Sequence, residues 1–111
     1  MKIELQKQTN QQVVIKPSGR LDANSGEAFK ARLAKAVDSG FIQLAVDMQE
    51  VSFIDSSGLS ALVSGFKAVR QKSGMLVLVN VGPQVKVALE MTHLNRIFPI
   101  YSDLDSALAS F

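Results

Sequence analysis

The sequence contains no cysteine and a single histidine, His93, among its 111 residues. The absence of cysteine excludes a disulfide framework, a thiolate metal site and thiol catalysis. One histidine cannot build a multi-histidine metal site, and it is the only base available to a serine hydrolase. Neither the Gly-x-Ser-x-Gly turn of hydrolases nor a glycine-rich phosphate-binding loop with its lysine occurs. We therefore expect no cofactor, no metal and no catalytic activity of the chain's own.

Charge and long apolar runs are also scarce. Lys and Arg number 12 against 10 Asp and Glu, and these charges are scattered, so the net charge of +2 does not indicate nucleic-acid binding. No apolar run approaches 18 residues, and the alternating residues Met1–Leu5 do not resemble a signal peptide. With 47% hydrophobic residues, the chain is expected to form one domain over residues 1–111. Because neither a signal peptide nor a long apolar run is recognised, we expect a cytoplasmic protein without membrane insertion.

Local patterns predict a hairpin followed by alternating helices and strands. Strands are predicted at 3–8 and 12–17, with Pro17 ending the second, and then at 41–48, 51–54, 75–79 and 97–100. Helices are predicted from an Asn24 cap with Glu27 reaching back, over 57–72, from Pro83, and after an Asp103 cap. This order predicts an α/β fold with a mixed sheet.

One short segment combines an acidic residue, two hydroxyls and a glycine at a predicted helix start. Asp55, Ser56, Ser57 and Gly58 follow a strand-like run and precede a strongly amphipathic helix. Capping of the helix would explain one of these side chains. A second interpretation stays open, in which a serine hydroxyl remains free and can carry a phosphate, because helix N-termini favour anions.

The same helix carries small residues on the side opposite its apolar stripe. Steps of 100° per residue place Ser57, Ser60, Ala61 and Ser64 together, away from Leu59 and Phe66. These residues form either an ordinary solvated face or a surface that lets a partner approach the helix backbone closely.

Four blocks of the sequence resemble successive blocks of STAS domains, and most closely those of bacterial anti-sigma factor antagonists. The blocks are Gly19–Ala23, Val46–Met48, Phe53–Leu59 and Met91–Phe98, in family order and spacing. The resemblance implies a single STAS-type domain, with a mixed sheet and helices packed mainly on one side. It also implies regulation by exchange of binding partners.

The resemblance further implies that Ser56 is phosphorylated by a serine kinase of the histidine-kinase-like ATPase type. A PPM-type serine phosphatase would remove the phosphate, and only the unphosphorylated form would bind the kinase or anti-sigma factor. Asp22 and Asp55 match acidic positions beside this serine, and Gly58 completes its surroundings. Ser57 matches a neighbouring position that is not the principal acceptor.

Ser60 departs from the glycine that many family members have at this position, so the choice of partner stays open. The predicted partner surface is Ser57, Ser60, Ala61 and Ser64. The alternative function is a STAS module that docks on a transporter ATPase or belongs to another kinase and phosphatase circuit. Neighbouring genes would discriminate the two, because they would encode either a kinase, phosphatase and sigma factor or transporter subunits. A small apolar or nucleotide ligand has no supporting sequence feature.

Overall fold

The computed structural model describes residues 1–111. Six strands and four α-helices follow in the order β1 (Lys2–Lys7), β2 (Gln12–Leu21), α1 (Gly26–Asp38), β3 (Gln43–Asp47), β4 (Val51–Ile54), α2 (Ser56–Arg70), β5 (Met75–Val79), α3 (Pro83–Met91), β6 (Ile100–Tyr101) and α4 (Leu104–Ala109). A short 3-10 helix, Leu94–Arg96, precedes β6. The predicted alternation of strands and helices after a hairpin is confirmed.

The strands form one mixed sheet in the order β1-β2-β3-β5-β6. Only β1 and β2 are antiparallel, and the other pairs are parallel because helices connect them. The remaining strand, β4, pairs with the last part of β2 alone, where Leu21 lies opposite Ile54. This pairing brings the carboxyl ends of β2 and β4 to the same edge.

The two faces of the sheet are covered unequally. Alternate residues of β2 and β5, such as Val13 and Leu76, enter a core of 21 buried residues that includes apolar residues of α1, α2 and α3. On the opposite face, α4 covers a second cluster of five buried residues, Val14, Ala45, Val77, Val79 and Ala107. The predicted packing of helices mainly on one side is therefore confirmed.

The predicted end of β2 at Pro17 is wrong, because the strand continues to Leu21. Pro17 lies between Ile15, the last residue paired with β3, and Gly19, the first residue paired with β4. Its missing N–H therefore interrupts neither parallel ladder. Gly19 has a φ of +101° at a register shift, a conformation that glycine adopts without strain.

The helix boundaries also differ from the predicted ones. The N-cap of α1 is Ser25 instead of Asn24, and Glu27 makes no return hydrogen bond. The carboxylate of Asp22 organises this turn by accepting the Asn24 N–H at 3.0 Å. The Asp103 cap of α4 is confirmed, since its carboxylate accepts the Ser106 N–H at 2.8 Å, which lowers the pKa of Asp103.

None of the four α-helices combines the length and the apolar character that a membrane span requires. The longest, α2, has 15 residues, whereas a bilayer core requires about 20.

Candidate functional site

The start of α2 is capped by Asp55, and this leaves the neighbouring serine hydroxyls free. The Asp55 carboxylate accepts the N–H of Ser57 at 2.9 Å and that of Gly58 at 3.4 Å. Ser56 is the first helical residue and is exposed, and its hydroxyl makes no hydrogen bond within the protein. The capping interpretation is therefore confirmed. The Ser56 hydroxyl is free, and its phosphorylation stays a prediction.

Gly58 is required by the close packing of α2 against the end of β2. A Cβ added at this position would lie 2.6 Å from the Leu21 carbonyl oxygen and 2.6 Å from Ile54 Cγ1. The backbone oxygen cannot move away as a flexible side chain could. Gly58 thus shapes the site by letting the first turn of α2 rest directly on the strand that precedes Asp22.

We expect Gly58→Ala to destabilise the domain. The clash with the Leu21 backbone costs about 1–3 kcal/mol, which exceeds the helix propensity that alanine adds, about 1 kcal/mol at most. Thermal unfolding measures the effect as a melting temperature lower by several degrees. Gly82→Ser is the control, because a Cβ at Gly82 meets no atom within 4 Å. Equal melting temperatures for both variants would contradict the packing argument.

The two acidic residues of the predicted site lie at the same edge but have different tasks. Asp22 and Asp55 directly follow Leu21 and Ile54, which are paired, and the Asp55 N–H donates to the Leu21 carbonyl at 3.1 Å. The Asp22 carboxylate is engaged by its own loop and by the Arg20 Nε at 3.4 Å. The structure therefore brings Asp22 to the same sheet edge as the Asp55 cap, with its carboxylate engaged within its own segment.

An open depression of about 310 Å³ separates the first turns of α1 and α2. Its walls are Ala23, Gly26, Glu27 and Lys30 on one side and Ser56, Ser57, Ser60 and Ala61 on the other. Glu27 and Lys30 are exposed and take part in no ion pair. Three serines thus share one concave surface with an unpaired carboxylate, that of Glu27, and an unpaired ammonium group, that of Lys30.

The prediction that Ala61 lies on the exposed face of α2 is wrong. Ala61 is 1% exposed, Ser57 and Ser64 are half-buried, and only Ser60 of the predicted surface is exposed. The small residues admit α1: a Cβ at Gly26 would lie 3.0 Å from Ser57 Cβ, and one at Gly65 would lie 2.8 Å from Leu33 Cδ1. The small residues of α2 therefore serve mainly the close packing of α1 against α2 within the domain.

A cation–π pair, formed by the exposed Arg20 and the half-buried Phe53, lies at the same edge. The Arg20 guanidinium carbon is 4.1 Å from the centre of the Phe53 ring, a cation–π distance, and Arg20 is paired with Phe53 across β2 and β4. The sequence interpretation missed this pair and also missed Glu27 and Lys30. A signal for Arg20 and Phe53 existed, because both precede the acidic residues by two positions.

Comparison with known protein families agrees with this arrangement of strands and helices. The family model described as the STAS domain matches residues 2–107. The chain therefore belongs to the STAS domain family.

Similar proteins define the group more narrowly. The chain is 32% identical over 98 residues to the anti-sigma-B factor antagonist of Listeria monocytogenes, covering 88% of this chain and 86% of that protein. It belongs among the anti-sigma factor antagonists. A solved antagonist from Mycobacterium paratuberculosis superposes with a TM-score of 0.87 at 25% identity, covering 98% of this chain and 92% of that one.

A third protein of this fold has been solved in two states. The unphosphorylated form of the anti-sigma factor antagonist SpoIIAA gives a TM-score of 0.86 at 22% identity, covering 96% of this chain and 93% of that one. The phosphorylated form of SpoIIAA from Bacillus gives 0.78 at 21% identity, with 98% of each chain covered. Both forms share the fold described above.

Proposed function

We propose that this protein is a partner switch controlled by phosphorylation of Ser56. The unphosphorylated form binds an anti-sigma factor that is also a serine kinase of the histidine-kinase-like ATPase type, and the kinase then releases its target. Phosphorylation blocks this binding, and a PPM-type phosphatase restores it. The observation that carries the proposal is the free, exposed Ser56 hydroxyl beside an intact Asp55 cap. Membership among the anti-sigma factor antagonists supports the class of partner.

We expect the fold to tolerate a phosphate on Ser56. A phosphate adds about −1.5 to −2 charges near pH 7, at a helix N-terminus whose dipole favours anions by roughly 0.3–1 kcal/mol. Lys30 lies across the same depression, while Glu27 and Asp55 oppose the new charge. Because the Asp55 cap does not use the Ser56 hydroxyl, the first turn of α2 keeps its hydrogen bonds after modification.

The same charge opposes binding of a partner. An interface that covers the exposed residues Ser56 and Ser60 would have to remove water from the phosphate. Burial of a charge without a matching partner is costly, and the phosphate also adds bulk at the contact. The switch therefore requires no change of fold.

Ser56 is expected to be the only substantial phosphoacceptor. Ser57 is half-buried, and its Cβ would lie only 3.0 Å from a Cβ added at Gly26 of α1. A phosphate on Ser57 would therefore be crowded by α1. Incubation with the kinase and ATP, followed by phosphopeptide mapping, should give one modified residue, and Ser56→Ala should remain unmodified. Dominant modification of Ser57 or Ser60, or full phosphorylation of Ser56→Ala, would refute the assignment.

A further inference from the structure

One edge of β4 has no neighbouring strand. Instead, a side chain of α3 forms hydrogen bonds with the backbone at that edge. The Oε1 of Gln84 accepts the Ile54 N–H at 2.9 Å, and its Nε2 donates to the Ile54 carbonyl at 2.9 Å. Both backbone groups of one residue are thus paired with one carboxamide. The orientation of the amide is defined, because the N–H requires an oxygen and the carbonyl requires a donor.

Ile54 is the last residue of β4 and directly precedes the Asp55 cap. On the β2 side, the Asp55 N–H donates to the Leu21 carbonyl at 3.1 Å. On the α3 side, Gln84 holds Ile54, whose side chain is 1% exposed and contacts the first turn of α2 at Gly58. The backbone that enters α2 is therefore held from two sides.

We infer that Gln84 is a positioning residue for Ser56. It acts through Ile54: the two hydrogen bonds fix the peptide groups that orient the Asp55 cap, and the cap fixes the first turn of α2, which carries Ser56. The inference rests on the proposed function, in that the hydroxyl is positioned for phosphate transfer. A hydroxyl on a fixed backbone takes the position for reaction more often than one on a mobile backbone, and such an effect appears in kcat more than in KM.

The test compares Gln84→Met with a variant that loses stability elsewhere. Methionine keeps the length of the side chain but can neither donate nor accept as the carboxamide does. Val14→Ala is the control, since Val14 is buried on the opposite face of the sheet. Amide hydrogen exchange is measured for Ile54 to Gly58, and Ser56 phosphorylation is measured with ATP and the histidine-kinase-like serine kinase encoded nearest in the genome.

In Gln84→Met, we expect the Ile54 amide to exchange at least about tenfold faster than in Val14→Ala. We also expect kcat for phosphorylation to fall about tenfold, equivalent to about 1.4 kcal/mol, with KM little changed. Equal kcat values in the two variants would overturn the inference, whether or not the exchange rates differ. If the wild-type chain is not phosphorylated, the proposed function fails. The exchange rates then decide alone whether Gln84 positions the start of α2, and equal rates in the two variants refute it.

Discussion

Ser56→Asp is expected to weaken binding to the anti-sigma kinase at least about 100-fold, or about 2.7 kcal/mol. The aspartate places a negative charge on the exposed first residue of α2, where the proposed interface must exclude water. The Asp55 cap keeps both of its hydrogen bonds, so the melting temperature should stay within a few degrees of the wild type. Titration calorimetry measures the affinity, and differential scanning calorimetry measures the stability.

Ser56→Asn is the matched control for the charge. Asparagine has the shape of aspartate without its charge, and it should reduce the affinity much less. Equal losses for the two variants would mean that bulk alone breaks the contact. If Ser56→Asp instead unfolded the domain, the switch would operate through the fold and the proposed mechanism would be wrong.

Ser60→Arg is expected to weaken the same complex at least tenfold, or about 1.4 kcal/mol, while the domain stays folded. Ser60 is exposed on α2 one turn beyond Ser56 and lines the same depression. An added side chain there meets no core residue, and such surface changes usually alter stability by less than about 0.5 kcal/mol. At an interface, the same side chain would separate the partner from the helix and break the fit between the surfaces.

Gln8→Arg adds the same side chain at an exposed position just after β1 and should bind normally. Both variants gain one positive charge, so a difference between them reports position and not net charge. Equal affinity of Ser60→Arg and the wild type would place the partner surface elsewhere on the domain.

The fold could be predicted from the sequence because its signals are local. Apolar runs such as 75–79 and the amphipathic pattern of α2 define elements without reference to their neighbours. A cap in the segment that begins at Asp55 could be predicted for the same reason, since a cap directly precedes its helix, whereas the choice of Ser56 as phosphoacceptor rests on the resemblance to the family. The continuation of β2 beyond Pro17 could not be predicted, because it depends on a change of neighbouring strand.

The parts of the site that were missed depend on contacts between distant segments. Helical periodicity places Ala61 opposite the apolar stripe, but it cannot indicate that α1 packs there. The same packing of α1 against α2 places Lys30 and Ser56 in one depression, although they are 26 residues apart in the sequence. Gln84 is 30 residues from Ile54, and nothing in its own surroundings in the sequence predicts that it pairs with a strand edge.

The most direct test of the central claim is calorimetric titration of the anti-sigma kinase with one preparation of this protein in three states. The states are unphosphorylated, fully phosphorylated on Ser56, and phosphorylated and then treated with the PPM-type phosphatase. We predict binding in the first state, at least about 100-fold weaker binding in the second, and full recovery in the third. Equal affinity of the unphosphorylated and phosphorylated forms would contradict the account.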